Sequence, residues 1–561
     1  MNYRRLQKNI VTRLSSLALA LTFLLAGFGN LNAAAPPSSP VARHGHMRVE
    51  GNRIVGEHGE PVQLRGMSLF WSHGGARDFY SESAIGHLAN DWNADVVRAA
   101  MAVNMDWSAT QRSFLGESPA TGAAASPQGG IADPTHKDAV IAAIDAAITH
   151  GLYVIVDWHA YWTGGADAAN RFPNAPPLEA TIEFFLEISN RYPNVPNIIW
   201  EILNEPIGPG SAAAVNSWWR DHLRPWKQTV TNAIRNSGDE RIIIIGTPRW
   251  CQRPDVAAAL PVDGTNLAYS MHFYAAGNAD HNSIGRQRII TTMMQHRLPV
   301  FISEFGLTGP DGGQPPNTGI NVDSSNVWMD FLEQYNIGWA NWSLNRATQG
   351  SASMTGGTAA NPSSWVLSAS GTFMHNELNR TEPRTRRFYS IDVQRQGSGT
   401  VNVRSGSLGP YATGAAHSVE LRAVPAQGET FVGWTVNGNT PADAANTDLI
   451  ISGSWAGGST DMVVIAEFTG STSTITTSAR QAAAQWSVRR ADGSVRVTGP
   501  QGSAADIVFY DIRGKVVRRF ITAGGTAMID NAKVPAGNYL MVVRDRATGR
   551  DVHKSRVSLV K

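Results

Sequence analysis

Two glutamates stand at the ends of apolar runs, Glu205 within Asn204-Glu205-Pro206 and Glu304 within Ser303-Glu304-Phe305-Gly306. Cleaving a glycosidic bond takes such a pair, one protonated to release the leaving oxygen and one ionised to meet the anomeric carbon. The two pKa values must therefore be pushed apart by their surroundings. Arg98 is the cation nearest in pattern, and whichever glutamate it contacts would be held ionised. Around these lie other polar or aromatic run ends: Asp157-Trp158-His159, His272-Phe273-Tyr274 and Asn341-Trp342-Ser343. Any one of them alone reads as a satisfied structural group. Six such ends together are costly to bury unless they form a network around a ligand. Metal-assisted chemistry fits less well, because no HExxH or comparable ligand spacing is present. No metal and no organic cofactor are implied.

These ends need a scaffold that gathers them. From about residue 47 to 382, eight short apolar strand candidates alternate with helical patterns: 62–70, 96–101, 153–159, 197–204, 241–247, 267–274, 300–306 and 337–343. The helical candidates between them include 136–150, 178–190, 212–236, 284–297 and 324–335. Gly151 falls where a helix C-cap belongs, and continuous apolar runs such as Ile242–Ile245 suit burial on both faces. The pattern predicts an α/β fold, a parallel (β/α)8 TIM barrel, whose active site forms at the C-terminal ends of the strands. An open doubly wound sheet is the competitor, but no Gly-rich phosphate loop follows the first strand. Ring order places the fourth and seventh strands across the mouth, and an inward Arg98 could reach either glutamate.

The motifs resemble glycoside hydrolase family 5, and most closely its bacterial endoglucanase branch. The resemblance is carried by Ile199-Trp200-Glu201-Ile202-Leu203-Asn204-Glu205-Pro206 and Phe301-Ile302-Ser303-Glu304-Phe305-Gly306. Arg65-Gly66-Met67-Ser68, Val97-Arg98, Asp157-Trp158-His159, His272-Phe273-Tyr274 and Asn341-Trp342-Ser343-Leu344 agree, so that it covers about Met47 to Met374. It implies Glu205 as general acid/base and Glu304 as nucleophile of a retaining mechanism. It further implies that Asn204 holds the sugar 2-hydroxyl and that Arg98 and Tyr274 hydrogen-bond Glu304. His159 and His272 would line the cleft and Trp342 its floor, with Trp71 and Trp250 at aromatic subsites and Tyr161 and Trp162 as further candidates. Indole planes suit the flat C–H faces of pyranose rings. The sequence departs from the branch at Ala102, where Tyr is common, and at Asn345-Arg346-Ala347-Thr348-Gln349, where Lys and Glu are common. The expected substrate is a β-1,4-glucan, with β-mannan, xyloglucan or xylan as alternatives under the same mechanism. A non-catalytic carbohydrate-binding adhesin is the alternative from another class.

The ends of the chain have other textures. Arg4, Arg5, Lys8 and Arg13 precede a 15-residue apolar run, Leu14–Phe28, followed by Asn32-Ala33-Ala34-Ala35. That is the pattern of a secretory signal (1–35), too short for the ~20 residues that span a bilayer. Residues 36–46 read as a leader, disordered over Ala35 to Pro40. Past Arg384 helical periodicity stops. Residues 388–470 read as a small β-repeat module closing on Phe431-Val432-Gly433-Trp434, with Trp434 and Trp455 as conceivable sugar contacts. Residues 471–485 read as a linker and 486–561 as a basic β module similar to C-terminal sorting domains, suggesting export or cell-surface attachment. From Arg480 to Lys561 there are 15 basic and 6 acidic residues, net +9, which leaves −7 on the rest of a chain whose total is +2. A near-neutral whole excludes a global field for nucleic acid. The single cysteine, Cys251, excludes an intramolecular disulfide framework. The chain is expected to be secreted or surface-held and to work as a monomer.

Overall fold

The computed structural model describes residues 35–559 except 73, 104–134, 163–175, 177, 210–211, 313–318, 347–348, 456–460, 470–486 and short stretches at 492–493, 499–504, 511–515, 523–525, 531–536 and 546–550. The expected signal segment and the expected linker therefore lie outside the described residues, apart from Ala35. The chain forms two compact units. One runs to Asp392 and includes Gly406–Val419 and Ile451–Met462; the other holds Val393–Ser405, Glu420–Ile450 and Val463–Lys561.

Eight parallel strands close into a barrel in the first unit: β1 (Arg65–Leu69), β2 (Val96–Ala102), β3 (Tyr153–His159), β4 (Ile198–Glu201), β5 (Ile243–Ile245), β6 (Leu267–Tyr274), β7 (Val300–Gly306) and β8 (Trp339–Leu344). Each pairs with its sequence neighbours, and β8 closes on β1. The strands are buried residue by residue, which is why their sequences are apolar runs rather than alternations. All eight predicted strands are present, several shorter than expected. Helices cover the outside: α1 (Glu82–Asn90), α2 (Thr135–His150), α3 (Leu178–Arg191), α4 (Ala212–Trp218), α5 (Arg224–Asn236), α6 (Ser283–Ile290) and α7 (Val322–Gln334). Gly151 follows α2 with φ +68°, a conformation that other residues adopt at a cost.

Three local features depart from expectation. The helix expected over 212–236 is interrupted by a π turn at Trp219–Leu223, because Pro225 has no N–H to continue the α pattern. The expected disordered leader is folded. Ser39 caps a short helix, Pro40–His44, with proline at its first position, and Val41 is buried. Val41 N–H donates to the Gly151 carbonyl at 3.0 Å. Its side chain joins Met47, Val62, Leu64, Tyr153, Ile155, Ile199 and Phe301 in the cluster that fills the N-terminal end of the barrel. Third, the parallel register slips between Ser270 and His272, between Ile302 and Phe305, and between Trp342 and Leu344. Such irregularities re-aim side chains, and these lie at the C-terminal ends of β6, β7 and β8.

Beyond the barrel the described elements are strands apart from Ala369–Leu378, which is helical. Phe431–Val436 pairs antiparallel with Met462–Phe468. Trp434 is buried and its indole N–H donates to the Asn446 carbonyl at 2.8 Å. It is a core residue, so the suggested sugar contact is corrected; a side chain closed off by packing has no face left for a ligand. The last segment forms a three-stranded sheet (487–491, 494–498, 526–530) and a four-stranded sheet (516–521, 505–510, 537–545, 551–559). Among the described residues no helix is long and apolar enough to cross a membrane.

Candidate active site

The C-terminal ends of the strands converge on one guanidinium. Arg98, on β2, is fully buried. Its Nε donates to Glu201 Oε2 at 2.7 Å and its Nη1 to Glu304 Oε2 at 3.1 Å and Ser68 Oγ at 3.5 Å. Its Nη2 donates to Asn204 Oδ1 at 2.6 Å and lies 2.8 Å from Asp157 Oδ2. A guanidinium has five N–H bonds, and here each has an acceptor. Strands β1, β2, β3, β4 and β7 are thereby tied at one point. Arg98 contacts Glu304 and not Glu205, which resolves the choice that ring order left open.

Glu304 accepts a second bond from Tyr274 Oη at 2.8 Å. Burial would raise its pKa, but the charges of His272 and Arg98, together with the Tyr274 hydroxyl, outweigh burial and hold it below the usual carboxylate value. Glu205 goes the other way. Burial and then the neighbouring Glu304 charge raise its pKa, and His272 and Arg98 only partly offset them. Its Oε1 is 2.9 Å from His272 Nδ1. Burial works against a charged His272, yet Cys251, Glu201, Glu205 and Glu304 around it raise its pKa well above the usual histidine value. Donor atoms of Glu205, His272 and Glu304 lie within 4.8 Å of one another. They are the described side chains that could hold a metal ion, but His272 and Arg98 already supply the positive charge there. Two close carboxylates with opposed ionisation suit acid-and-nucleophile chemistry instead.

The walls are aromatic. His159, pinned to Asp157 at 2.7 Å, stacks on Trp342 with ring centroids 5.2 Å apart and planes at 10°. Trp71 meets the same imidazole edge-on at 4.8 Å, and Tyr161 lies 5.9 Å from Trp71. Burial and the nearby Arg98 charge drop the His159 pKa to about 3, so this ring is a neutral wall. Trp250 is 41% exposed on a turn where Arg249, Trp250 and Cys251 all have φ between 52° and 58°, and that backbone holds the indole out toward solvent. Trp162 does not belong with them: it is buried against Trp218 at 5.3 Å and Trp226 at 6.3 Å. These neighbouring rings come from the helical segments that follow, Trp218 in α4 and Trp226 in α5.

Sequence reasoning passed over Glu201. It is fully buried, accepts from Arg98 and from Ser303 Oγ at 2.5 Å, and is held at a pKa of about 2, with burial opposed by Arg98 and His272. Its signal was present, since an acid inside an otherwise apolar strand must have a buried partner.

Residues 55–348 match the family described as cellulase (glycosyl hydrolase family 5), and residues 389–483 match the divergent InlB B-repeat domain. The chain is 32% identical to the cellulase CelDZ1 of a Thermoanaerobacterium species, over 59% of this chain and 80% of that one. It is 33% identical to endoglucanase A of Evansella cellulosilytica, over 66% and 67% respectively. Among solved structures it is similar to the cellulase Cel5C_n, at TM-score 0.50 and 28% identity, over 62% of this chain and 97% of that one. A thermostable, halotolerant family 5 cellulase from an Icelandic hot spring isolate gives TM-score 0.50 and 28% identity, over 62% and 99%. With the barrel, the paired glutamates and these matches in agreement, the chain belongs to glycosyl hydrolase family 5 and is a cellulase-type glycoside hydrolase acting on polysaccharide.

Proposed function

We propose that this is a secreted, retaining endo-β-1,4-glucanase. The observation that carries the reading is the buried pair itself, Glu205 raised and Glu304 lowered in pKa, with their nearest oxygens inside 4.8 Å. Retaining glycosidases place their carboxyl groups ~5 Å apart, whereas inverting ones leave ~6.5–9.5 Å for a water. Glu205 protonates the glycosidic oxygen while Glu304 attacks the anomeric carbon, giving a covalent glycosyl-enzyme and a shortened chain. Glu205, now ionised, takes a proton from water, whose oxygen attacks the same carbon and restores Glu304. Two inversions leave the configuration retained. Asn204 Nδ2 is buried without a hydrogen-bond partner, while its Oδ1 is fixed by Arg98. That amide is a donor for the sugar 2-hydroxyl, a contact that strengthens toward the oxocarbenium-like transition state.

Trp342, Trp71 and Tyr161 form the wall beside the reacting sugar, and Trp250 offers an open indole farther along the cleft. The N-terminal basic-then-apolar pattern supports export, and the basic C-terminal module supports attachment or export of the mature chain. Initial rates of reducing-sugar release on carboxymethylcellulose, mixed-linkage glucan, galactomannan and xylan test the substrate. A preference for the two glucans is expected. Preference for galactomannan or xylan overturns the substrate while leaving the two-glutamate mechanism; no activity on any overturns both.

A further inference from the structure

The main chain that carries Glu205 lies outside the barrel ladder. β4 ends at Glu201, so something else must hold the acid to the fraction of an ångström that the reaction needs. A second, two-residue ladder does so. Tyr161–Trp162 pairs parallel with Glu205–Pro206, Tyr161 opposite Glu205 and Trp162 opposite Pro206. Asn204 N–H donates to the Trp158 carbonyl and Glu205 N–H to the Ala160 carbonyl, each at 3.1 Å. Pro206 has no N–H to give. Past it, Ile207 and Gly208 N–H both donate to the Trp162 carbonyl, at 2.8 and 3.2 Å. We propose that Trp162 is a positioning residue for the acid: its buried indole anchors the short strand, whose carbonyls fix the main chain on both sides of Glu205. The proposal deepens the function above and rests on Glu205 being that acid.

The anchor follows from the alternation of the strand, in which successive side chains point to opposite faces. Tyr161 faces the cleft wall, 5.9 Å from Trp71 and 6.2 Å from His159. Trp162 turns the other way and is buried against Trp218 of α4 at 5.3 Å and Trp226 of α5 at 6.3 Å. Trp226 is itself tied down, its indole N–H donating to the Pro176 carbonyl at 3.1 Å. The partner strand rests on the same anchor. Gly208 has φ +75°, and a Cβ there would stand 2.5 Å from Trp218 Cε3, so a glycine is what lets the main chain lie this close to the ring. Trp218 thus backs both strands of the pair. The turn after β5 meets the segment from its other side, where Arg249 N–H donates to the Ile207 carbonyl and the Cys251 thiol to the Asn204 carbonyl, each at 3.0 Å. Those bonds hold carbonyls, so the N–H groups flanking Glu205 depend on Ala160 and Trp162. The nucleophile is held elsewhere, by Arg98 and Tyr274 on β2 and β6. Loosening the anchor therefore shifts the acid and leaves the nucleophile in place.

The test uses the full chain and two substrates, with a melting temperature for each variant. Mixed-linkage glucan needs the acid, whereas a 2,4-dinitrophenyl cellobioside releases a phenolate that departs without a proton. A displaced Tyr161 would weaken sugar binding for both alike, so the readout is the ratio of the two kcat/KM values. Trp162→Leu lowers kcat/KM on the glucan by ~10²-fold and on the aryl glycoside by no more than about threefold. Trp162→Phe, which keeps a ring against Trp218, restores the ratio to near wild type. Gly208→Ala pushes the partner strand off Trp218 without removing a core ring and lowers the same ratio about tenfold. It decides the matter alone should Trp162→Leu fail to fold. A merely structural role lowers the melting temperature, or both rates by a common factor, and leaves the ratio unchanged. A ratio within about twofold of wild type in the folded variants overturns the proposal. A Glu205→Gln enzyme whose ratio matches wild type overturns instead the reading on which it rests.

Discussion

In the proposed mechanism each glutamate has a protonation state to lose, and the two losses fall on opposite sides of the optimum. The nucleophile must be ionised and its pKa is lowered, so activity falls as pH drops through that lowered value. The acid must be protonated and its pKa is raised, so activity falls as pH rises through it. A bell-shaped kcat/KM profile, broader than two unperturbed glutamates would give, is the expected outcome of rate measurements across pH. The acid role has a sharper signature. Glu205→Gln slows hydrolysis of a polymeric glucan by ~10²–10⁴-fold, but affects an aryl glycoside with an acidic leaving group far less, because that group departs without a proton. Comparing the two substrates on one variant checks it. At this scale the sequence was most legible where a residue type has one chemical use. Glu205, Glu304, Arg98 and Tyr274 converge as expected. Glu201 was legible only in part: an acid inside an apolar strand signals a buried partner, but that partner, Arg98, stands on another strand and its identity is not readable from the run itself. The neighbours of Trp162 were not legible either, because Trp218 and Trp226 come from helical segments far along the chain.

Elements were legible in proportion to how completely they are buried. The runs at 153–159, 267–274 and 300–306 coincide with β3, β6 and β7, since strands covered on both faces must be apolar throughout. Less legible were features set by a single backbone group, such as the π turn ahead of Pro225, or by register slips between neighbours. The Pro40–His44 helix was missed because five residues carry no periodicity. Its stability comes from the Ser39 cap and from Val41 entering the barrel's N-terminal cluster. Val41→Asp buries an unpaired charge there and is expected to destabilise the protein by about 3 kcal/mol. Urea unfolding checks this. The site lies at the other end of the strands, so the rate per folded molecule should stay near wild type.

On the scale of the whole molecule, the residues placed in the reaction all lie between Ser68 and Trp342, while the basic excess lies in the last 82 residues. Chemistry and net charge therefore belong to separate parts of the chain. A chain ending at residue 470 is expected to keep kcat/KM on a soluble glucan within about twofold, because steering by distant charge matters little for a neutral polymer. Its partition between medium and cell surface, followed by immunoblotting, is expected to change if the basic module serves attachment or export. The mechanism itself is tested most directly by trapping. A 2-deoxy-2-fluoro-cellobioside with a good leaving group slows breakdown of the covalent intermediate, and peptide mass spectrometry then locates the sugar. The result expected is one fluorosugar on the peptide containing Glu304, absent in Glu304→Ala. A sugar on Glu205, or an active enzyme that never accumulates an adduct, would contradict the assignment of nucleophile and acid.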